Sequence, residues 1–291
     1  DIIYTPEAVR GTGQRLYITP HVGKQAVIFD PDGVLCEQQD TEVLPRRLWE
    51  HWLGWLVQKR ARQPLNGLIL TLDLPDLLTA DKHRREHLVQ LLRSRLQDVR
   101  QHLHCQLPVY VVLTRLDLLT GFAALFHSLD KQGRDAILGV TFTRHAHEND
   151  DWRVELKAFW QTWGEQLNNA LPDLMLAQNH DRSALFSFVR QMQGCHDVLA
   201  VLLGSLLDGE NMDVMLRGIY LTSSLQRGQM DDIFMQSAAR QYLLGSSPLA
   251  AWPLVDTRPY FTRCLFPLAL LAEPNLSGEN SVWLGNARRR M

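Results

Sequence analysis

Two short apolar runs constrain this chain more than any other feature. They are residues 67–72 (GLILTL) and 109–114 (VYVVLT), and each runs straight into a polar turn. Neither alternates apolar with polar, so neither suits a strand with one wet face. A continuous run of this length, bounded by Asn66-Gly67 and Asp73 or by Pro108 and Asp117, fits a strand buried on both faces of a parallel sheet. Between them, Leu88, Leu91, Leu92, Leu96, Val99 and Leu103 recur at helical spacing and predict a helix over 81–104. Strand, helix, strand in this order is a parallel crossover, and ligands of such sheets gather at the carboxyl ends of the strands.

Upstream, 15–19 (RLYIT) and 25–30 (QAVIFD) read as two further strands joined by a turn at His21–Lys24. A helix is expected over 44–61. Its Trp49, Trp52 and Trp55 fall near one face and read first as core, with an aromatic binding stripe as the sharper alternative. From about residue 151 the character changes. Helices are expected over 152–171, 181–208 and 229–243, with the short apolar run GIYLT (218–222) between them. Prolines 248, 253, 259, 267 and 274 limit helix length in the tail. The expected architecture is α/β: a mostly parallel, GTPase-like sheet flanked by helices over 1–150, followed by a mainly helical extension over 151–291.

Composition narrows the function classes. With 45% hydrophobic residues and a mean hydropathy of −0.17, the 291 residues suit a globular chain with a substantial core. A net charge of −2 supplies no basic field for nucleic acid. Cys36, Cys105, Cys195 and Cys264 stand far apart and read as reduced thiols. No apolar run approaches the roughly 18 residues of a membrane span. The opening residue is Asp1, so the chain reads as a fragment or a processed piece. Arg288-Arg289-Arg290 read either as a solvated tail or as the cytoplasmic flank of a membrane helix.

Two motifs suggest nucleotide chemistry. DPDG (30–33) follows an apolar strand. In GTP hydrolases an aspartate there holds Mg²⁺ through water, and a glycine three residues on lets its N–H reach the γ-phosphate. Asp30 and Gly33 are the candidates. TRLD (114–117) follows VYVVL as [NT]KxD follows a strand in guanine-binding proteins. Thr114, Arg115 and Asp117 are the candidates there, with Arg115 in the place of the usual lysine. The phosphate cradle G-x-x-x-x-G-K-[ST] does not occur in the 291 residues. ITPHVGKQ (18–25) lacks its first glycine and its hydroxyl, and precedes a strand where a cradle precedes a helix. A cradle would have to lie before Asp1.

Weaker signals have ordinary readings. His145, His147, Glu148, Asp150 and Asp151 read as a solvated loop before a metal site. Asp73 and Asp76 read as a helix cap before a catalytic pair. Either 141–143 or 222–224 could lie beside TRLD: spacing favours the first, and the Thr-Ser-Ser turn favours the second.

Several blocks together resemble the IcmF/TssM family of type VI secretion components. They are VIFDPDGVLCEQQD (27–40), RQPLNGLILTLDLPDLL (62–78), LPVYVVLTRLDLLTGFAALFHSL (107–129), LGVTF (138–142), LRGIYLTSSLQRGQMDDIF (216–234) and RPYFTRCLFPLALLAEPNLSGEN (258–280). The resemblance implies the cytoplasmic domain of a protein anchored in the bacterial inner membrane. It also implies a scaffold role that joins TssL- and TssJ-type membrane partners to TssK-like and other baseplate components. Docking is then expected through the 151–291 region, and Arg288–Arg290 become a membrane-proximal flank. Asp30-Pro31-Asp32-Gly33 stands where the family commonly has D-T-A-G. Asp32 sets a negative charge beside any γ-phosphate. With Arg115 for lysine, this implies a relaxed nucleotide site and no hydrolysis, no catalytic residue and no resident metal or cofactor. Mg–GTP or Mg–ATP, with Asp30 toward the metal, belongs to the alternative in which a nucleotide cycle drives assembly.

Overall fold

The structure is a computed structural model, and it describes residues 2–4, 17–36, 43–146, 150–177, 182–207, 214–224 and 258–290. Residues 1–16 apart from 2–4, His147, Glu148 and the expected helix over 229–243 lie outside the described residues. The chain packs as two units. The first comprises Asp1–Asn66, Glu86–Leu107 and Glu273–Met291; the second comprises Gly67–Arg85 and Pro108–Ala272.

In the first unit, β1 (Ile2–Tyr4), β2 (Ile18–Gly23) and β3 (Val27–Pro31) form an antiparallel sheet in that order. The β2–β3 hairpin closes through a Gly23 N–H to Ala26 carbonyl bond of 2.8 Å. A short helix, α1 (Gly33–Cys36), follows, and then α2 (Val43–Lys59). The long helix α4 (Lys82–Leu103) belongs to this unit from Glu86 onward. Leu53 and Leu56 on α2 and Leu96, Val99 and Leu103 on α4 are buried. The Trp49 indole of α2 donates to Asp98 of α4 at 3.1 Å, which satisfies a buried N–H. The tryptophan face divides: Trp49 is buried, Trp52 packs edge-on against Phe29 at 5.8 Å, and Trp55 is 41% exposed.

The tail of this unit is pinned. Arg62 pairs with Glu279 and lies 5.7 Å from the Trp283 ring, and its carbonyl accepts from the Asn280 N–H at 2.9 Å. Asn280 in turn caps the last helix, accepting from Val282 and Trp283 at 2.9 and 3.0 Å. Replacing Arg62 with alanine removes an exposed ion pair and an exposed ring contact. The expected loss in urea denaturation is about 1 kcal/mol or less. Hydrogen exchange should nonetheless quicken across 277–284, where the anchor acts.

The second unit holds the parallel sheet. β4 (Leu68–Asp73) and β5 (Pro108–Thr114) pair in parallel, with Leu68 opposite Val109 and Asp73 opposite Thr114. Next to β5 lies β7 (Met215–Leu221), also parallel, and β6 (Gly139–Thr141) closes the order β4-β5-β7-β6 as an antiparallel edge. Alternate residues of β5 serve two cores. Tyr110 and Val112 pack with Tyr220 under Leu265, Ala269 and Leu270, while Val111 and Leu113 on the opposite face are fully buried. Asp73 caps α3 (Leu74–Thr79), accepting from the Asp76 N–H at 3.0 Å, so the ordinary reading of that carboxylate holds.

The remaining helices follow: α5 (Phe122–Phe126), α6 (Lys131–Asp135), α7 (Asp151–Ala177) and α8 (Arg182–Leu207). On α8, Leu185, Phe188, Met192, Cys195, Leu199, Leu202 and Leu206 recur at 3–4 residue spacing and are buried. The Trp160 indole of α7 donates to the Met192 carbonyl of α8. The final helix, α9 (Ser281–Arg290), belongs to the first unit. No helix among the described residues is long and apolar enough to cross a membrane.

Three expectations need correction. GIYLT does not merely interrupt helices: it lies largely in β7, the strand next to β5. A strand chooses its neighbours by burial and not by its place in the chain, so β7, from beyond residue 151, joins the sheet of β4 and β5. β3 belongs to an antiparallel sheet of its own, so Asp30 is not at the carboxyl end of a parallel strand. Last, α7 continues past Pro172 to Ala177, since the missing N–H costs one backbone bond and the turns on either side of it keep theirs.

Candidate functional site

The site is the turn that leaves β5. Thr114 ends the strand, and its hydroxyl donates to the Leu72 carbonyl at 3.2 Å, tying the ends of β4 and β5. Arg115 takes φ 62°, ψ 32°, the left-handed region that costs a side-chain-bearing residue roughly 1–2 kcal/mol. That reversal sends the chain into a 3-10 turn, Leu116–Leu118, and buries Leu116, Asp117 and Leu118. The Arg115 guanidinium lies 2.5 Å from Asp73, whose other oxygen caps α3. Asp73 was legible only as a strand end and a cap; its partnership with Arg115 needed the register of β4 on β5.

Asp117 is 1% exposed. One carboxyl oxygen accepts from the Ser223 hydroxyl at 2.5 Å, and the other has no hydrogen-bond partner among the described residues. Burial pushes this carboxyl above the ordinary carboxylate range. The Ser223 hydrogen bond, its own backbone and the Arg115 charge oppose the rise, while Asp73 adds to it.

The open choice between two loops is decided here. The Leu116 N–H donates to the Thr222 carbonyl at 3.2 Å, and the Thr222 N–H donates to the Leu113 carbonyl at 2.8 Å. The segment 222–224 therefore lies beside TRLD. Phe142 sits instead at the other end of β7, donating to the Arg217 carbonyl at 2.7 Å. Ser223 is also bridged to Tyr260, through backbone bonds of 3.1 and 2.7 Å. The Tyr260 ring meets Phe122 edge-on at 5.1 Å. Tyr260 was not singled out by chemistry; only its place in the block 258–280 pointed to it.

Asp30 and Gly33 belong to the first unit and to its antiparallel sheet. Asp30 stands opposite Thr19 in the ladder, is exposed, and has His21 as its neighbour at 3.8 Å. Asp32 turns back to accept from the Val34 N–H at 3.0 Å. So Thr114, Arg115 and Asp117 share one turn, while Asp30 and Gly33 share another in a different sheet. Among the described residues no group of three His, Cys, Asp or Glu side chains could hold a metal ion. All four cysteines are free thiols. Burial pushes Cys105 up to about 11 and Cys195 also upward, which makes both unreactive near neutrality.

Comparison with known proteins adds one deciding fact. The model of the IcmF-related N-terminal domain matches residues 44–291, most of the chain. The chain belongs to the IcmF-related family. It is also similar to the type VI secretion system component TssM1 of Pseudomonas aeruginosa strain PAO1, 28% identical over 278 residues. That alignment covers 94% of this chain and 25% of the relative, so the chain spans about a quarter of the relative's length. No solved structure matches. The expected IcmF/TssM membership is thus confirmed. Within the IcmF-related match lie the TRLD turn, its Asp73 partner and the 222–224 segment, whereas Asp30 and Gly33 precede it.

Proposed function

We propose that this chain is a cytoplasmic scaffold domain of a type VI secretion membrane complex, with a GTPase-like sheet that no longer hydrolyses nucleotide. It docks the cytoplasmic baseplate, through TssK-like components, and the TssL- and TssJ-type membrane partners. Its parent is anchored in the inner membrane, with α9 and Arg288–Arg290 on the membrane-proximal side. Membership of the IcmF-related family and the likeness to TssM1 support the assignment to the secretion system.

The observation that carries the loss of nucleotide chemistry is the state of Asp117. A base-reading aspartate must present both oxygens to the base edge. Here it is 1% exposed with one oxygen on Ser223. Arg115, which would cover the base, is held on Asp73. The 291 residues also contain no G-x-x-x-x-G-K-[ST] run to cradle phosphates.

A nucleotide-binding reading has one specific support: the second Asp117 oxygen has no hydrogen-bond partner among the described residues. Titration with fluorescent GTP and ATP analogues and Mg²⁺ separates the two. No saturation up to millimolar concentration is expected, together with retention of baseplate components in a pull-down. Micromolar binding that vanishes in Asp117→Ala would overturn the scaffold-only reading.

A further inference from the structure

The Asp117 turn has an internal conflict that its role as a retained shape does not explain. Three charged groups meet where β4 and β5 end. Asp73 holds Arg115 at 2.5 Å with one oxygen and caps α3 with the other. Asp117 lies two residues beyond Arg115 with one oxygen on Ser223, itself 0% exposed, and the other without a hydrogen-bond partner among the described residues. Helix α5, packed against the 3-10 turn, carries no charged residue. On α3, Asp76 is engaged by Arg84 at 2.7 Å. The segment 222–224 carries no charge. Burial and the Ser223 hydrogen bond weigh most on Asp117, and among the described residues the charges that act on it are Arg115, which favours its ionised form, and Asp73, which opposes it.

One arginine thus acts on two carboxylates: it is paired with Asp73, and its charge favours the ionised form of Asp117. While Asp117 is neutral, only Asp73 competes for it. An ionised Asp117 is a buried anion with an open lone pair, and such a group gains most from the nearest cation. Arg115 is the residue that can supply it. Its side chain is half exposed, so it can exchange partners without crossing the core, and its backbone lies in the left-handed region.

We propose that Asp117 is a proton-operated latch on the Arg115 clip: neutral, it stays seated on Ser223 and leaves Arg115 on Asp73; ionised, it draws Arg115 away and releases the clip between the ends of β4 and β5. This goes beyond the scaffold reading and stands on geometry that is independent of any nucleotide. It gives the sheet edge two states, set by one proton.

The linkage sign is fixed. A carboxyl whose native value is raised binds more protons folded than unfolded between its ordinary and its raised value. Its contribution to stability is full below the ordinary carboxylate range and is lost as pH rises through that window. The test uses the whole 291-residue chain. NMR follows the Asp117 carboxyl carbon and the amide exchange of 114–118 from about pH 3 to about pH 9, bracketing the ordinary carboxylate value near 4. The expected midpoint lies above that value, and exchange, corrected for its intrinsic pH dependence, rises severalfold with the ionised fraction. Asp117→Asn should exchange independently of pH. Asp73→Asn keeps the cap but frees Arg115 and removes an anion, so the Asp117 midpoint should fall; Arg115→Gln should raise it. Asp73 and Arg115 are partly exposed, so their variants decide the matter even where Asp117→Asn does not fold. An ordinary midpoint, a midpoint unmoved by both variants, or wild-type pH dependence in Asp117→Asn overturns the latch.

Discussion

Gly121→Ala is expected to destabilise the second unit severely. Gly121 adopts φ +93°, which an alanine tolerates poorly. Space is the larger problem. A β-carbon there would stand 2.1 Å from the Ala184 carbonyl oxygen and 2.8 Å from the Phe188 β-carbon. The first obstacle is backbone, so no rotamer change relieves it: α5 and α8 must separate. Their contact is fixed from both sides, because the Gln191 amide of α8 also donates to the Thr120 carbonyl at 3.1 Å. The expected loss is about 4 kcal/mol or more, in the range that marks a forced backbone shift, against a typical domain stability of about 5–15 kcal/mol. Urea denaturation followed by circular dichroism should show an early, broadened transition. Gly164→Ala is the control, because nothing lies within 4 Å of a β-carbon there and α7 is helical. It should stabilise by up to about 1 kcal/mol. Equal behaviour of the two variants would mean that α5 and α8 are not packed this closely.

The same glycine shows how far the sequence could be read. TRLD followed by Gly121-Phe122 was legible as a motif, and its strand was legible because VYVVL is apolar at every position. What could not be read was the reason for the glycine, since Ala184 lies more than sixty positions away. β5 was plain from composition. β7 was visible only as the short run GIYLT, because one strand among long helices looks like an interruption until its pairing with β5 is seen.

The candidate site was legible in part for a related reason. Thr114, Arg115 and Asp117 adjoin in the chain and so were found together. Asp73 and Ser223 join them through strand register, which local pattern does not encode. Asp30 presents the opposite case. Its apolar approach and glycine exit fit a parallel strand end, yet a hairpin with His21 as cross-strand neighbour satisfies the same pattern. Trp55 likewise shared helical spacing with Trp49 but lies on the wetter side of α2.

Phe188→Ala is expected to produce the second large loss, and it tests whether the site depends on the helical part of its own unit. Phe188 is 0% exposed on α8. Its ring meets Phe126 edge-on at 5.6 Å, and Phe126 meets Phe261 at 5.3 Å, while Phe122 meets both Phe126 and Tyr260. This aromatic cluster joins α8, α5 and the Tyr260 segment whose backbone holds Ser223. Truncation removes a large buried ring and leaves a cavity that the clash-limited neighbour Gly121 cannot fill, so the cost should be about 3–5 kcal/mol. Phe186, two residues earlier, is 38% exposed with Arg190 over its ring at 5.0 Å. Its alanine variant should cost about 1 kcal/mol or less. The informative readout is local as well as global. If the cluster positions Ser223, Phe188→Ala should raise amide exchange in 114–118 and 222–224 under conditions where the chain stays folded, and Phe186→Ala should not. Loss of global stability with unchanged exchange in those two segments would show that the TRLD turn is held by the sheet alone.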